Sequence, residues 1–385
     1  MKPQNKLTRI TMAATLFTVW AAAEVTIQCP PSPGPNTVCR HLAAGDGFIR
    51  MPDGRDLYIF GFADVTGMPP ETVMMDAMLK SEFPAPTLVF KEGQDVYLTL
   101  TNVGMMMRPD LFDPHTVHFH GFANAAPVFD GEPMASVAVN MGASFTYYYH
   151  IVDPGTYMYH CHNEATEHMQ MGMLGNLYVL PAQNELPDGT NLGSFRHRTG
   201  YKYVYNDGDG STYYDVEYPL QLAALDPVFH QASEDIQPLP FADMKDRYAV
   251  INGRGYPDTA FKGPILNKNG NPSQPVHSLI EARVGQRVLL RISSLSTVDF
   301  NTVRVLGIPM TVVGRDARLL RGPSGKNLFY KTQSLTLGGG EAYDVILDTR
   351  DVLPGTYLLY STNLHNLSND QEDFGGMMTE ILIHP

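Results

Sequence analysis

Short alternating runs, rather than long helical stripes, dominate the pattern of this chain. TLVFKEGQDVYLTLTN (87–102), SFTYYYHI (144–151) and LGNLYVLP (174–181) set β-branched and aromatic residues two apart and end in turn formers. A two-residue period predicts strands with one buried face. Many such strands, separated by turns drawn from 34 glycines and 29 prolines, predict an all-β sandwich. Only short stretches such as MMDAMLK (74–80) read as a helical turn.

The pattern occurs twice, at a spacing of about 200 residues. KEGQDVYLTLTN (91–102) reads against ARVGQRVLLRIS (282–293), GASFTYYY (142–149) against GGEAYDVI (339–346), and DPGTYMYH (153–160) against LPGTYLLY (353–360). A chain of 385 residues is long enough for two domains. The expected division is a Pro-rich segment over 24–39, one sandwich over 40–182, a connection over 183–240 and a second sandwich over 241–385. The connection includes TGYKYVYNDGDGSTYYD (199–215) and is expected to lend an edge strand to the second sandwich.

Residues 1–23 change the picture of compartment. Lys2, Lys6 and Arg9 precede ITMAATLFTVWAAA, a secretory-signal pattern whose 14 apolar residues are too short to span a bilayer comfortably. The alternative is an uncleaved anchor. Export to a periplasm or the extracellular space is expected, with no membrane association. Removing the three basic residues of the signal from the 27 in the chain leaves 24 against 40 acidic ones, a net charge of −16. That balance argues against nucleic acid and anionic membranes as partners and suits a basic redox protein. Of three cysteines, Cys29 and Cys39 bracket CPPSPGPNTVC and are placed to close a small disulfide loop after export. Cys161 is left for an intermolecular bridge, a reactive thiol or a metal.

Its neighbours favour the metal. In YMYHCHNEATEHMQMGM (157–173), Cys161, His168 and Met173 offer a thiolate, an imidazole and a thioether. Those are ligands of a blue-copper (type 1) centre, which needs one more imidazole. On a strand, Cys161 faces one way and His160 and His162 the other. DPHTVHFHGF (113–122) repeats the sorting: His118 and His120 share a parity and His115 has the opposite one. His115 therefore joins Cys161, His168 and Met173, while His118, His120, His160 and His162 form a second copper site behind them. Zinc accepts Cys and His but does not call for the methionine. Glu164 and Glu167, between the ligands, are candidates for moving protons or orienting a histidine, against the reading of solvated loop carboxylates. Methionine clusters at Met74, Met75 and Met78, at Met105–Met107, and at Met169, Met171 and Met173 suit Cu(I) or simple core filling.

HxxHxHG followed by GTYxYHCHx5Hx4M resembles the copper signatures of the multicopper oxidases, the laccase and cuproxidase family. EGQDV (92–96), DGEP (130–133) and INGRGYPDT (251–259) add to the likeness. The resemblance implies two tandem cupredoxin-like Greek-key β-sandwich domains. It further implies type 1 ligation by His115, Cys161, His168 and Met173, with His118, His120, His160 and His162 as half of a type 2/type 3 trinuclear set. It implies an oxidoreductase that takes electrons from a small-molecule or protein donor at type 1 copper. These pass along the Cys–His link to a small acceptor, oxygen first among them.

Two departures stand beside it. The loop from Cys161 to His168 is about two residues longer than the common family spacing, a tolerable change for a loop. More seriously, NTVRVLG (301–307) places Asn301, Arg304 and Leu306 where the first copy has His115, His118 and His120, and Tyr360, Ser361 and Thr362 replace His160, Cys161 and His162. Leu and Arg do not ligate copper, so the second domain is expected to lack its own site. One alternative resembles the trimeric copper nitrite reductases, with His120 and His160 joined by a neighbouring subunit's copy of His365, from YSTNLHNLSND. In that family a catalytic aspartate lies where this chain has His118, which argues against nitrite. A homo-oligomer, such as a trimer, is expected on this reading. The remaining alternative is a non-enzymatic electron carrier or copper-binding protein.

Overall fold

The computed structural model describes residues 25–385, so the signal expected over 1–23 lies outside the described residues. The first domain has eight strands: β1 (Thr37–Arg50), β2 (Asp56–Asp64), β3 (Ala85–Lys91), β4 (Asp95–Gly104), β5 (His118–His120), β6 (Ser144–His150), β7 (Gly155–His160) and β8 (Leu174–Leu180). Two short helices accompany them, α1 (Pro70–Asp76) and α2 (Ala165–Gln170). One sheet has the order β2-β1-β4-β6 and the other β3-β8-β7-β5, so the chain crosses repeatedly between sheets in the Greek-key manner. Alternation fills the space between them. Val96, Leu98 and Leu100 of β4 are fully buried, and Phe119, Tyr149 and Tyr159 meet them from the other strands.

The second domain repeats the map. Val216–Leu225 runs parallel to Arg287–Ser294 just as β1 runs parallel to β4, and Ala342–Asp348 pairs antiparallel with Arg287–Ser294 as β6 does with β4. Ile280–Arg283, Met378–His384, Gly355–Ser361 and Asn301–Val305 line up in the other sheet as β3, β8, β7 and β5 do. The second sandwich therefore takes its first strand, Val216–Leu225, from inside the stretch expected as connection. That strand is interior rather than an edge, because Tyr248–Ile251 pairs along its outer side.

The two sandwiches share a core. Ile49, Leu57, Ile59, Met158 and Leu174 of the first pack with Ala223, Leu225, Val250, Leu295 and Ala342 of the second. A buried polar seam runs alongside, in which Thr156 donates to Asp344 and Ser293 donates to Asn176 at 2.8 Å. Apolar burial plus these cross-domain hydrogen bonds fixes the relative placement of the domains. Cys29 and Cys39 form a disulfide, and Cys161 is free and buried. Among the described residues no helix is long and apolar enough to cross a membrane.

Candidate metal centres

β7 ends at His160, and Cys161 sits one residue beyond, its N–H bonded to Met173 O at 3.1 Å. That contact brings both ends of the ligand loop together. Between them, Glu164 adopts φ 46° and starts α2, which carries His168. The return to β8 needs Gly172: its φ is +116°, and a Cβ there would lie 2.9 Å from Phe60 O. His115 approaches from a bridge with Val139, bonded through both backbone groups at 3.0 and 2.8 Å.

The result is a pre-assembled donor set. Cys161 Sγ lies 3.3 Å from His168 Nδ1 and 3.8 Å from His115 Nδ1, and accepts the Thr116 N–H at 3.4 Å. His115, Cys161, His168 and Met173 are all fully buried. Burial, helped by the neighbouring His168, holds the His115 imidazole well below its ordinary pKa. Burial would lower His168 too, but the Cys161 thiolate, Asp113 and Glu167 outweigh it and raise that imidazole to about 10. The Nε2 atoms of both histidines are buried without a partner, with Asp113 Oδ2 at 3.9 Å from that of His168. Two imidazoles, one thiolate and a thioether in a dry pocket fit a type 1 copper.

The second group forms on the other side of the same strands. β5 and β7 are antiparallel, with His118 directly opposite His160 and His120 opposite Met158. Directly opposed residues share a face, and the His118 and His160 rings are 5.3 Å apart. His120 lies 5.6 Å from His160, and His162 lies 5.0 Å from His118. His118 Nδ1 donates to Asp130 O at 2.6 Å and His160 Nδ1 donates to Cys161 O at 2.9 Å. Because the partners are carbonyls, both Nδ1 atoms carry the proton and both Nε2 atoms stay free as ligands. Ligand nitrogens of His118, His120 and His160 lie within 4.8 Å of one another. Burial lowers His160 to about 3 and lowers His120 as well, which favours the neutral imidazole that metal binding requires.

These imidazoles open into a cavity of about 350 Å³, shared with Thr166, Met169, Leu295, Ser296, Thr297, Gly339 and Gly340. Its far wall belongs to the second domain and offers the Ser296 and Thr297 hydroxyls, backbone and the apolar Leu295 side chain. Where the first domain pairs His118 with His160, the second pairs Arg304 with Tyr360, away from the cavity.

The other candidates are not brought there. Glu164 is exposed and Glu167 half-buried beside His168, and neither lines the cavity. His365 sits in the exposed turn Leu364–Leu367, on a separate groove of about 580 Å³ with Asp246, Asp299 and Asp370. The methionine clusters disperse: Met169 faces the cavity, Met171 and Met173 are buried, and Met75, Met106 and Met107 are exposed. The periodic signal did not point to Thr116, Gln170, Thr297 or Gly340, whose roles depend on through-space approach.

Comparison with known proteins bears on the family and the fold. The multicopper oxidase family models match residues 67–184 and 229–383. A multicopper oxidase MCE of Talaromyces pinophilus is 34% identical over 108 residues, 28% of this chain but only 16% of that protein. This chain therefore spans a small part of that relative's length. Among solved structures, a blue copper oxidase from Nitrosomonas europaea aligns with TM-score 0.63 and 24% identity, over 90% of this chain and 86% of its own. A copper nitrite reductase from the same organism aligns with TM-score 0.58 and 18% identity, over 90% and 94%. Together with the two family matches, which cover most of the sequence, these place the fold of tandem cupredoxin-like sandwiches, and the chain belongs to the multicopper oxidase family.

Proposed function

We propose that this chain is an exported copper-dependent oxidoreductase. On this reading it takes single electrons from a small-molecule or protein donor at His115, Cys161, His168 and Met173, and delivers them to an acceptor, oxygen first, in the histidine cavity. Copper bound at the two groups would supply the one-electron redox chemistry. The observation that carries the reading is the position of Cys161. Its thiol faces His115 and His168, its carbonyl accepts from His160, and its peptide bonds lead directly into His160 and His162. One residue therefore joins the two donor sets covalently and by hydrogen bond.

The chain's own residues divide the work. Full burial of the thiolate group keeps water off the first site, and the Thr116 N–H holds the sulfur in place. Asp130 and Cys161 carbonyls orient His118 and His160 with Nε2 outward. The cavity admits a small acceptor beside them.

Oxygen uptake by the copper-loaded protein, with a phenol or Cu(I) as donor, tests the proposal, with nitrite turnover run in parallel. Uptake is expected in the wild type and lost in Cys161→Ser, together with the absorption near about 600 nm that thiolate–copper centres give. Nitrite turnover without oxygen uptake would replace the acceptor, and neither activity would reduce the protein to an electron carrier.

A further inference from the structure

We propose that the histidine cavity holds a single copper ion, bound by His118, His120 and His160 of the first domain alone, in place of a three-ion cluster. This deepens the functional reading above and rests on the cavity being a copper site. Four observations carry it.

The first is the supply of donors. The four imidazoles are the strong nitrogen ligands in the cavity, and the other lining groups are hydroxyls, backbone and the Met169 thioether. Copper in a nitrogen site wants three or more such ligands, so three ions sharing this set would hold roughly one apiece. One ion is fully served by three imidazoles with a position left open for an acceptor.

The second is spacing. Ligand nitrogens of His118, His120 and His160 lie mutually within 4.8 Å, close enough for small ring movements to bring all three onto one ion. His162 stands outside the converging trio, half-buried and stacked on His160 at 5.4 Å.

The third is the wall itself. A Cβ at Gly340 would lie 2.7 Å from His120 Nε2, and the residue has φ +91°. Gly340 N–H is tied to Ser294 O at 2.8 Å, and Leu295 and Ala342 on either side belong to the core shared by both domains. Bare backbone is thus pressed against His120 where a cluster would need further imidazoles, and a side chain there would displace that ligand.

The fourth is that the strands of another copy's second domain do not repair the deficit, its exposed turn at His365 offering one imidazole where the missing half of a cluster set needs four. Every copy carries Arg304 opposite Tyr360, and an exposed Leu306 two residues on, where the first domain has His118, His160 and His120.

The test is copper per chain in the loaded full-length protein, with the copper quantified by type in the electron paramagnetic resonance spectrum. Two coppers are expected, one type 1 and one type 2, in equal amounts. The double variant His118→Ala/His120→Ala and the single variant Gly340→Ala should each fall to one, with the visible thiolate band retained as the check on folding. His162→Ala should keep both. Three or more coppers, a coupled pair silent in the spectrum, or loss of the second ion in His162→Ala would overturn the single-ion assignment while leaving the cavity a copper site. One copper in the wild type, unchanged in the cavity variants, would overturn both this assignment and the functional reading beneath it.

Discussion

Asp246 accepts a hydrogen bond from Gln170 Nε2 at 3.3 Å, while its second carboxylate oxygen is buried with no partner. Burial, opposed by the Gln170 bond and reinforced by Asp299 and Asp226, pushes its carboxyl up to about 7. A carboxyl raised in the folded state binds its proton more tightly there than in the unfolded chain. Stability therefore falls as pH rises from about 4 to about 7 and stays reduced above. Asp246→Asn removes the charge but keeps the acceptor for Gln170. In urea titrations the variant should gain on the wild type by on the order of 2 kcal/mol more at pH 8 than at pH 5, less than the full shift because the groove admits solvent. An equal difference at both pH values would show that Asp246 is ionised throughout. The copper-site residues differ from this one in how they could be found. His118, His120 and His160 lie on β5 and β7, with His115 and Cys161 outside their ends at the opposite parity, so parity alone sorted them. Asp246, Gln170 and Thr297 meet across 76 and 127 residues of sequence, and no local pattern encodes such a meeting.

α2 is the element that links the two sites. It is six residues long, with His168 turned to the thiolate and Ala165, Thr166 and Met169 turned to the cavity. So short a helix has little stability of its own and depends on its anchors. Thr297 Oγ1 donates to Gln170 Oε1 at 2.7 Å, and His230 Nε2 lies 3.0 Å from Gln170 O, its other nitrogen 2.6 Å from Tyr58 O. Gln170→Ala should lower unfolding free energy by about 1–3 kcal/mol, the range for leaving buried polar partners unmet. Thr297→Val should give a smaller loss of the same kind by chemical denaturation. A neutral Gln170→Ala would mean that the anchors do not hold the helix. The strands of both sheets were legible beforehand, whereas this clamp was not, because the partners of His230 lie on other elements.

At the scale of the molecule, the two sandwiches share one map and have divided its uses. The first keeps both donor sets; the second supplies the cavity wall and a common core. The repeat was legible because the turn and strand signatures recur. Val216–Leu225 escaped as an interior strand because its parallel partner, Arg287–Ser294, lies far along the chain, and long-range pairing leaves no local trace. The loss of ligands in the second copy was legible as Arg304 and Tyr360, and their direct pairing places them where His118 and His160 pair in the first.

The central claim, that electrons entering beside Cys161 leave through the histidine cavity, is tested by rapid mixing of the fully reduced, copper-loaded protein with oxygenated buffer. The visible thiolate band should return quickly in the wild type and at least about tenfold more slowly in His118→Ala/His120→Ala, which keeps the first site but loses the second, a factor equivalent to about 1.4 kcal/mol of barrier. Return of the band at the same rate in both proteins would contradict the account.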